Sequence, residues 1–165
     1  MFSISDIQIG QGVIGISPII GRDGDYASDL RALINWQPDI VLTLVELHEF
    51  KSVGAQNFPD DLAKQDIKWL HFPIKDYAFP SAGEDALWTA ISAILQTALA
   101  QNARVCIHCR GGCGRSGMIA LRAMIDAGER AEEALERLRS YVACAVETDE
   151  QMAWATSGLI KNVEG

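Results

Sequence analysis

The chain has 165 residues, 48% of them apolar and 22% charged, the balance of a soluble globular protein with one full core, so a single domain over residues 1–165 is expected. A formal charge of −8 argues against nucleic acid or an anionic membrane surface as the main partner, since both call for a basic face. The most apolar long segment, residues 86–100, is too short for a membrane span and is interrupted by Thr89, Ser92, Gln96 and Thr97; with no leader-like pattern at the start, a cytoplasmic protein is the expectation.

Residues 13–16 alternate with glycine and lead into Ser17-Pro18, which predicts a strand and then a loop over residues 21–25, with Arg22 a candidate neighbour of any site there. A helix follows from Ser28, with Leu30, Leu33 and Ile34 on one side, stopping before Gln37-Pro38. Residues 40–45 form a continuous apolar run, the mark of a central parallel strand buried on both faces. His48-Glu49 comes next; without the spacing of a metal-binding helix it reads as a solvated helix start. Residues 57–65 predict a short helix opened by Pro59-Asp60-Asp61, and residues 67–72 the next strand.

That strand runs into Pro73-Ile74-Lys75-Asp76-Tyr77-Ala78-Phe79-Pro80, and a long helix follows from Ser81, Glu84 or Asp85 to about Ala100, with Leu87, Ile91, Ile94, Leu95 and Leu99 on its core face. Residues 104–117 read as a buried strand, a glycine-rich loop and a helix start. Val105, Cys106 and Ile107 make the strand, Gly111, Gly112 and Gly114 loosen the loop, and Met118, Leu121 and Ile125 set the helical period. Such a loop turns backbone N–H groups inward beside the positive end of the following helix, a combination that binds a phosphate dianion. Cys109 lies at its mouth, where the same field should favour thiolate and lower the thiol pKa. Arg115 offers a planar fork for two phosphoryl oxygens, and Ser116 adds a hydroxyl.

The helix behind the loop should cover residues 115–127 and close at Gly128. An amphipathic helix over residues 131–142 follows, with Glu133 and Arg137 spaced to pair, and a last helix from Thr148 to about Lys161. The alternation of strands and helices predicts an α/β fold, a central mostly parallel sheet with helices on both faces. In such sheets ligands sit beyond the C-terminal strand ends, which is where both Asp76 and the cysteine loop fall.

With every fixed position filled, His108-Cys109-x-x-Gly112-x-x-Arg115-Ser116 resembles the signature of the cysteine-based protein tyrosine and dual-specificity phosphatases. Pro73-Ile74-Lys75-Asp76 with Pro80 is similar to the acid segment of the dual-specificity branch, and the order of elements with residues 145–151 looks like the kinase-associated phosphatase group. The resemblance implies a protein tyrosine phosphatase-like fold and a hydrolase that needs no metal and no cofactor. Cys109 would attack phosphorus to give a cysteinyl-phosphate, Arg115 would bind the phosphate, and Ser116 would ease departure of the thiolate. His108, Arg110, Gly111, Gly112, Cys113, Gly114 and Arg115 would form the phosphate-binding loop. Asp76 would protonate the leaving oxygen and later activate water, with Glu84 and Asp85 as fallback acids better read as helix-start charge. Gln151 matches a water-positioning glutamine of related phosphatases, although Thr148-x-x-Gln151 is also a capping box.

The implied partner is a phosphorylated protein or small phosphate ester, with phosphotyrosine the first substrate and phosphoserine or phosphothreonine possible alongside it. Phosphoinositide or inositol phosphate hydrolysis, favoured by Arg110, and phosphoprotein binding with little turnover are the alternatives. The four cysteines do not read as a disulfide framework, since three of them, Cys106, Cys109 and Cys113, crowd one strand and loop. Cys106-x-x-Cys109 has zinc-ligand spacing but no second pair. Cys113 reads either as small loop filling or as a thiol that traps oxidised Cys109 as a disulfide.

Overall fold

The structure, a computed structural model, describes residues 1–158. Its centre is a five-stranded sheet ordered β1-β2-β5-β3-β4, made of β1 (Ser5–Ile9), β2 (Gly12–Ser17), β3 (Ile40–Thr43), β4 (Lys68–His71) and β5 (Arg104–His108). All pairings are parallel except the hairpin β1–β2, which turns through Gly10 and Gln11, with Gly10 at φ 57°. The expected mostly parallel sheet is present. The first strand is not marked by the sequence reading, because Ser5-Asp6-Ile7-Gln8-Ile9 is a short edge strand that buries only its two outer-alternating isoleucines.

Pleating sends alternate residues of the central strands to opposite faces. Leu42, Val105 and Ile107 join one apolar cluster, while Val41 and Cys106 join the other. The second cluster is covered by α1 (Tyr26–Asn35), α2 (Leu47–Ser52) and α3 (Phe58–Lys64) through Leu33, Phe50, Phe58 and Leu62. The first is covered by α4 (Asp85–Ala100), α5 (Gly114–Asp126), α6 (Ala131–Tyr141) and α7 (Asp149–Thr156), with a short 3₁₀ turn at Ala82–Glu84 leading into α4. Helices therefore lie on both faces, as expected. Among the described residues, no helix is long and apolar enough to cross a membrane.

Helix α5 is the inner member of its layer, with residues 114–125 all buried. Its interior charge is matched: Arg122 donates to the Trp154 carbonyl at 2.8 Å, pairs with Asp126 at 3.2 Å and lies 4.6 Å over the Trp154 ring. Helix α1 starts earlier than Ser28, because the Asp25 carboxylate caps it by accepting from the Ser28 amide at 3.0 Å. Arg137 does not pair with Glu133. Its Nη2 donates to both Glu129 carboxylate oxygens, at 2.7 and 2.8 Å, and its Nε to Oε1 at 3.3 Å, while Glu133 is left to Arg130 at 3.5 Å. The expected end of the last helix at Lys161 lies outside the described residues.

The cysteines correct the sequence reading. Cys113, in the glycine-rich loop, is joined by a disulfide to Cys144, which precedes α7, and Cys106 and Cys109 are free. Cys113 is thus committed away from Cys109, so the trapping role does not hold. Its partner lies 31 residues ahead, a distance that local spacing could not reveal. Cys106 and Cys109 belong to the two opposite apolar clusters, and burial pushes the Cys106 thiol up to about 12, so the pair is no zinc site. Closing a loop of 31 residues predicts that Cys144→Ser loses about 3 kcal/mol of stability in reductant-free urea unfolding. Equal midpoints for variant and parent would assign the cross-link no stabilising role.

Candidate active site

The register lines up the C-terminal ends of the strands: Ser17 and Thr43 both pair with His108, and Thr43 pairs in turn with His71. The loop 109–113 springs from this edge. It is held from below by the Leu44 amide on the His108 carbonyl (3.1 Å) and the Ile19 amide on the Arg110 carbonyl (3.2 Å). Gly112 has φ 74°, and a Cβ there would sit 3.0 Å from the Ser17–Pro18 backbone, so only glycine lets the loop lie so close. The first intrahelical bond of α5 runs from the Gly117 amide to the Cys113 carbonyl at 2.8 Å, so the amides before it have no helical acceptor and remain for an anion.

Cys109 is buried, with its Sγ 3.3 Å from the Ser116 hydroxyl. It shares a pocket of about 290 Å³ with Arg22, Asp76, Arg110, Arg115 and Glu147. A second, wider cavity at the far end of the sheet, beside the Arg137–Glu129 pair, has neither nucleophile nor loop amides. The expected convergence of Cys109, Arg115, Asp76 and Ser116 is thus met in space. Glu84 is bonded by the Ser81 hydroxyl at 2.9 Å, and neither it nor Asp85 lines the pocket.

Arg115 is 1% exposed, and its placement depends on Glu49. Nη1 donates to Glu49 Oε2 at 2.8 Å and Nη2 to Oε1 at 2.9 Å, while Nη1 also reaches the Ile74 carbonyl at 2.9 Å. Glu49 Oε2 accepts from the Glu46 amide as well, at 2.8 Å. Burial by itself would raise the Glu49 carboxyl; the Arg115 fork and that amide outweigh it and hold the carboxyl below its usual range. Burial works against the Arg115 charge too, and the bonds from Glu49 reverse the effect, so the guanidinium titrates above its ordinary value. This overturns the reading of Glu49 as part of a solvated helix start: it is 5% exposed, whereas its neighbours Glu46 and His48, 3.0 Å apart, face solvent. The missed signal was an acid one turn into a helix that follows the central strand, level with the loop.

With one edge of the guanidinium spent on Glu49, Arg115 Nε has no acceptor among the described residues. Asp76 Oδ1 lies 3.2 Å from Nη2, the Asp76 side chain is 47% exposed, and the Tyr77 amide donates to the same Oδ1 at 3.0 Å. Gln151 is fully buried and does not line the pocket. Its Oε1 accepts from the Glu147 and Thr148 amides at 2.9 and 3.3 Å, and its Nε2 donates to the Ala78 carbonyl at 3.0 Å. The capping box at Thr148 is therefore present, and it ties α7 to the loop carrying Asp76.

His108 stands behind Cys109. Its Nε2 is 2.7 Å from Thr43 Oγ1, which accepts from Trp69 Nε1 at 2.8 Å, while its buried Nδ1 has no partner among the described residues. Phe50 and Phe58 pack on the ring at 6.0 and 5.6 Å between centroids. Burial pulls the imidazole down to about 4, against a smaller opposing effect of the Cys109 backbone, so His108 is neutral at neutral pH.

Residues 22–129 match the polymorphic toxin system DSP-PTPase phosphatase family, which is well over half of the chain. The chain belongs to that family. The likeness to the cysteine-based dual-specificity phosphatases therefore stands. No curated protein matches the chain. Among solved structures, kinase-associated phosphatase with its catalytic-site cysteine replaced by serine is similar at TM-score 0.86 and 21% identity, over 99% of this chain and 97% of that one. Tk-PTP in its active form gives TM-score 0.68 and 28% identity, over 99% of both chains. PTPMT1 in complex with PI(5)P gives 0.75 and 15%, over 96% of this chain and 97% of that one. The fold is that of the protein tyrosine phosphatases, as the sequence led one to expect.

The neutral, buried histidine makes the protein sensitive to acid. His108 binds its proton at 6.5 when unfolded and at about 4 when folded, so between these values the unfolded chain holds more protons. Stability should fall by about 3 kcal/mol as pH drops from 6.5 to 4. Glu49, with its lowered carboxyl, acts in the same direction: its contribution is full above the unfolded value and lost as pH falls through the folded one. Urea unfolding across this range checks the slope, which should be shallower in His108→Gln; an unchanged slope would remove His108 from the account.

Proposed function

We propose that the protein is a cysteine-dependent phosphatase that hydrolyses phosphate monoesters, phosphotyrosine first among them, through a cysteinyl-phosphate. The observation that carries this reading is the meeting, in one pocket, of a buried cysteine, an arginine whose Nε lacks an acceptor among the described residues, and a half-exposed aspartate.

A phosphate dianion is taken up by the loop amides and by Arg115 Nε and Nη2, the face of the fork that Glu49 leaves free. Its arrival draws Nη2 from Asp76 and frees that carboxyl for the leaving oxygen. Cys109 attacks as thiolate, the phosphorus–oxygen bond breaks, and the departing oxygen takes the proton of Asp76. In the second step the Asp76 carboxylate accepts a proton from water as its oxygen attacks phosphorus. The phosphorus–sulfur bond breaks, and the Ser116 hydroxyl, 3.3 Å from the sulfur, donates to the thiolate that leaves. Arg115 and the amides hold the charge on the equatorial oxygens throughout, and no step calls for a metal. Gln151 serves by fixing the Asp76 loop through Ala78. Arg22 and Arg110 on the pocket wall leave a second reading open, hydrolysis of a phosphoinositide or inositol phosphate.

Turnover of phosphotyrosine, phosphothreonine and inositol phosphate substrates in the presence of a chelator tests the reading. Cys109→Ser should abolish turnover yet still bind phosphate or vanadate, and Arg115→Lys should lose both, since a point charge cannot replace the fork. Turnover retained by Cys109→Ser would end the proposal. For Asp76→Asn the rate on alkyl or phenyl phosphates should fall about 10²- to 10⁴-fold, with a smaller loss on esters whose leaving group needs no proton. Equal losses on both would assign the proton to another group.

A further inference from the structure

Of the two acids on the pocket wall, Asp76 has a role in the chemistry and Glu147 has none. Glu147 nevertheless sits on a segment fixed more firmly than an ordinary connection. The disulfide Cys113–Cys144 fastens the segment to the phosphate loop itself. Arg139 donates to the Ala145 carbonyl at 3.0 Å and the Val146 carbonyl at 3.1 Å, and the Glu147 amide donates to Gln151 Oε1 at 2.9 Å.

Two glycines at the start of α5 make the approach feasible. A Cβ on Gly117 would lie 2.6 Å from Ala145 Cα, and a Cβ on Gly114 would collide with the Glu147 carboxylate. Val146 is held at φ 65°, a left-handed conformation that a β-branched residue adopts only where its surroundings impose it. All these contacts aim one carboxylate at the side of the anion cradle.

The geometry points to Glu147 as a selectivity residue, which favours phosphomonoesters with a neutral or cationic group beside the phosphate over those with an anionic one. This rests on the phosphatase reading above. Arg110, anchored to Ser52 Oγ at 3.0 Å, comes from the α1–α3 side of the sheet, whereas Glu147 comes from the α5–α7 side. The pocket is therefore polarised across its width, and the group that flanks the phosphate feels the Glu147 charge most. At a separation of several ångströms in partly wet surroundings, one such charge alters a competing pair of substrates by about three- to tenfold.

The test uses phosphotyrosine peptides that carry Lys, Ala or Glu next to the phosphotyrosine, assayed without reductant on the parent, Glu147→Gln and Glu147→Lys. The ratio of kcat/KM for the Lys peptide to that for the Glu peptide should fall about three- to tenfold in Glu147→Gln and further in Glu147→Lys. The change should lie mainly in KM and shrink at high salt. Cys144→Ser, which releases the segment, should move the ratio the same way by a smaller factor. A ratio unchanged in both Glu147 variants, or one common loss of kcat on all three peptides, would overturn the inference. Cys109→Ser run alongside separates the two ideas: turnover surviving there defeats the phosphatase reading, whereas its loss with an unchanged ratio defeats only the role of Glu147.

Discussion

Arg115 is a cation placed where almost no water reaches it, and the site exists because Glu49 is there to meet it. Stripping water from such a charge costs several kcal/mol, and only close, well-aimed bonds offset that. The two parallel N–H···O bonds from Nη1 and Nη2 do so and also fix the plane of the guanidinium, which a single contact would leave free to rotate. One edge of the fork becomes structural and the other remains for an anion. Both partners begin helices that follow adjacent strands, α2 after β3 and α5 after β5, so the parallel pairing of those strands sets the level at which they meet.

The same strand edge sets the shape of the loop. Ser17, His108, Thr43 and His71 form a row across four strands, and the backbone of the loop is bonded into that row from either side. The Trp69–Thr43–His108 chain brings a polar group into an apolar surround with its hydrogen bonds met on one ring nitrogen, and two phenylalanines close the remaining space. A loop fixed in advance by backbone bonds spends little free energy on reorganising when charge develops beside it, and electrostatic stabilisation of a transition state calls for such preorganisation.

How much of this could be read from the chain follows from the range of each interaction. The strand–loop–helix unit of residues 104–117 is local: its apolar run, its glycines and its polar residues are consecutive, so the placing of Cys109 and Arg115 in one pocket was legible. Asp76 was legible too, because a strand end places it on the ligand edge. Glu49 was not, since its partner lies 66 residues away and its neighbours His48 and Glu46 are solvent-facing. Gln151 illustrates a residue whose local pattern was right and whose longer reach was invisible: the cap is there, and so is a bond to Ala78 across 73 residues. Cys113 failed for the opposite reason, because the cysteine nearest in sequence drew attention from the one nearest in space.

The disulfide also changes what the phosphate loop is anchored to. Hydrogen bonds from Ile19 and Leu44, just beyond β2 and β3, fix its front half, and Cys113 fixes its rear to the segment before α7. Gln151 joins that segment in turn to the loop of Asp76, so the Cys109 loop, the Glu147 segment and the Asp76 loop form one closed chain of contacts. The Asp76 carboxyl is held lightly, with one amide and one shared guanidinium donor and nearly half its surface open. That difference in restraint suits the mechanism we propose: groups that would bind the phosphate gain by being fixed, whereas a group that would leave Arg115, give up a proton and take one back needs room to move.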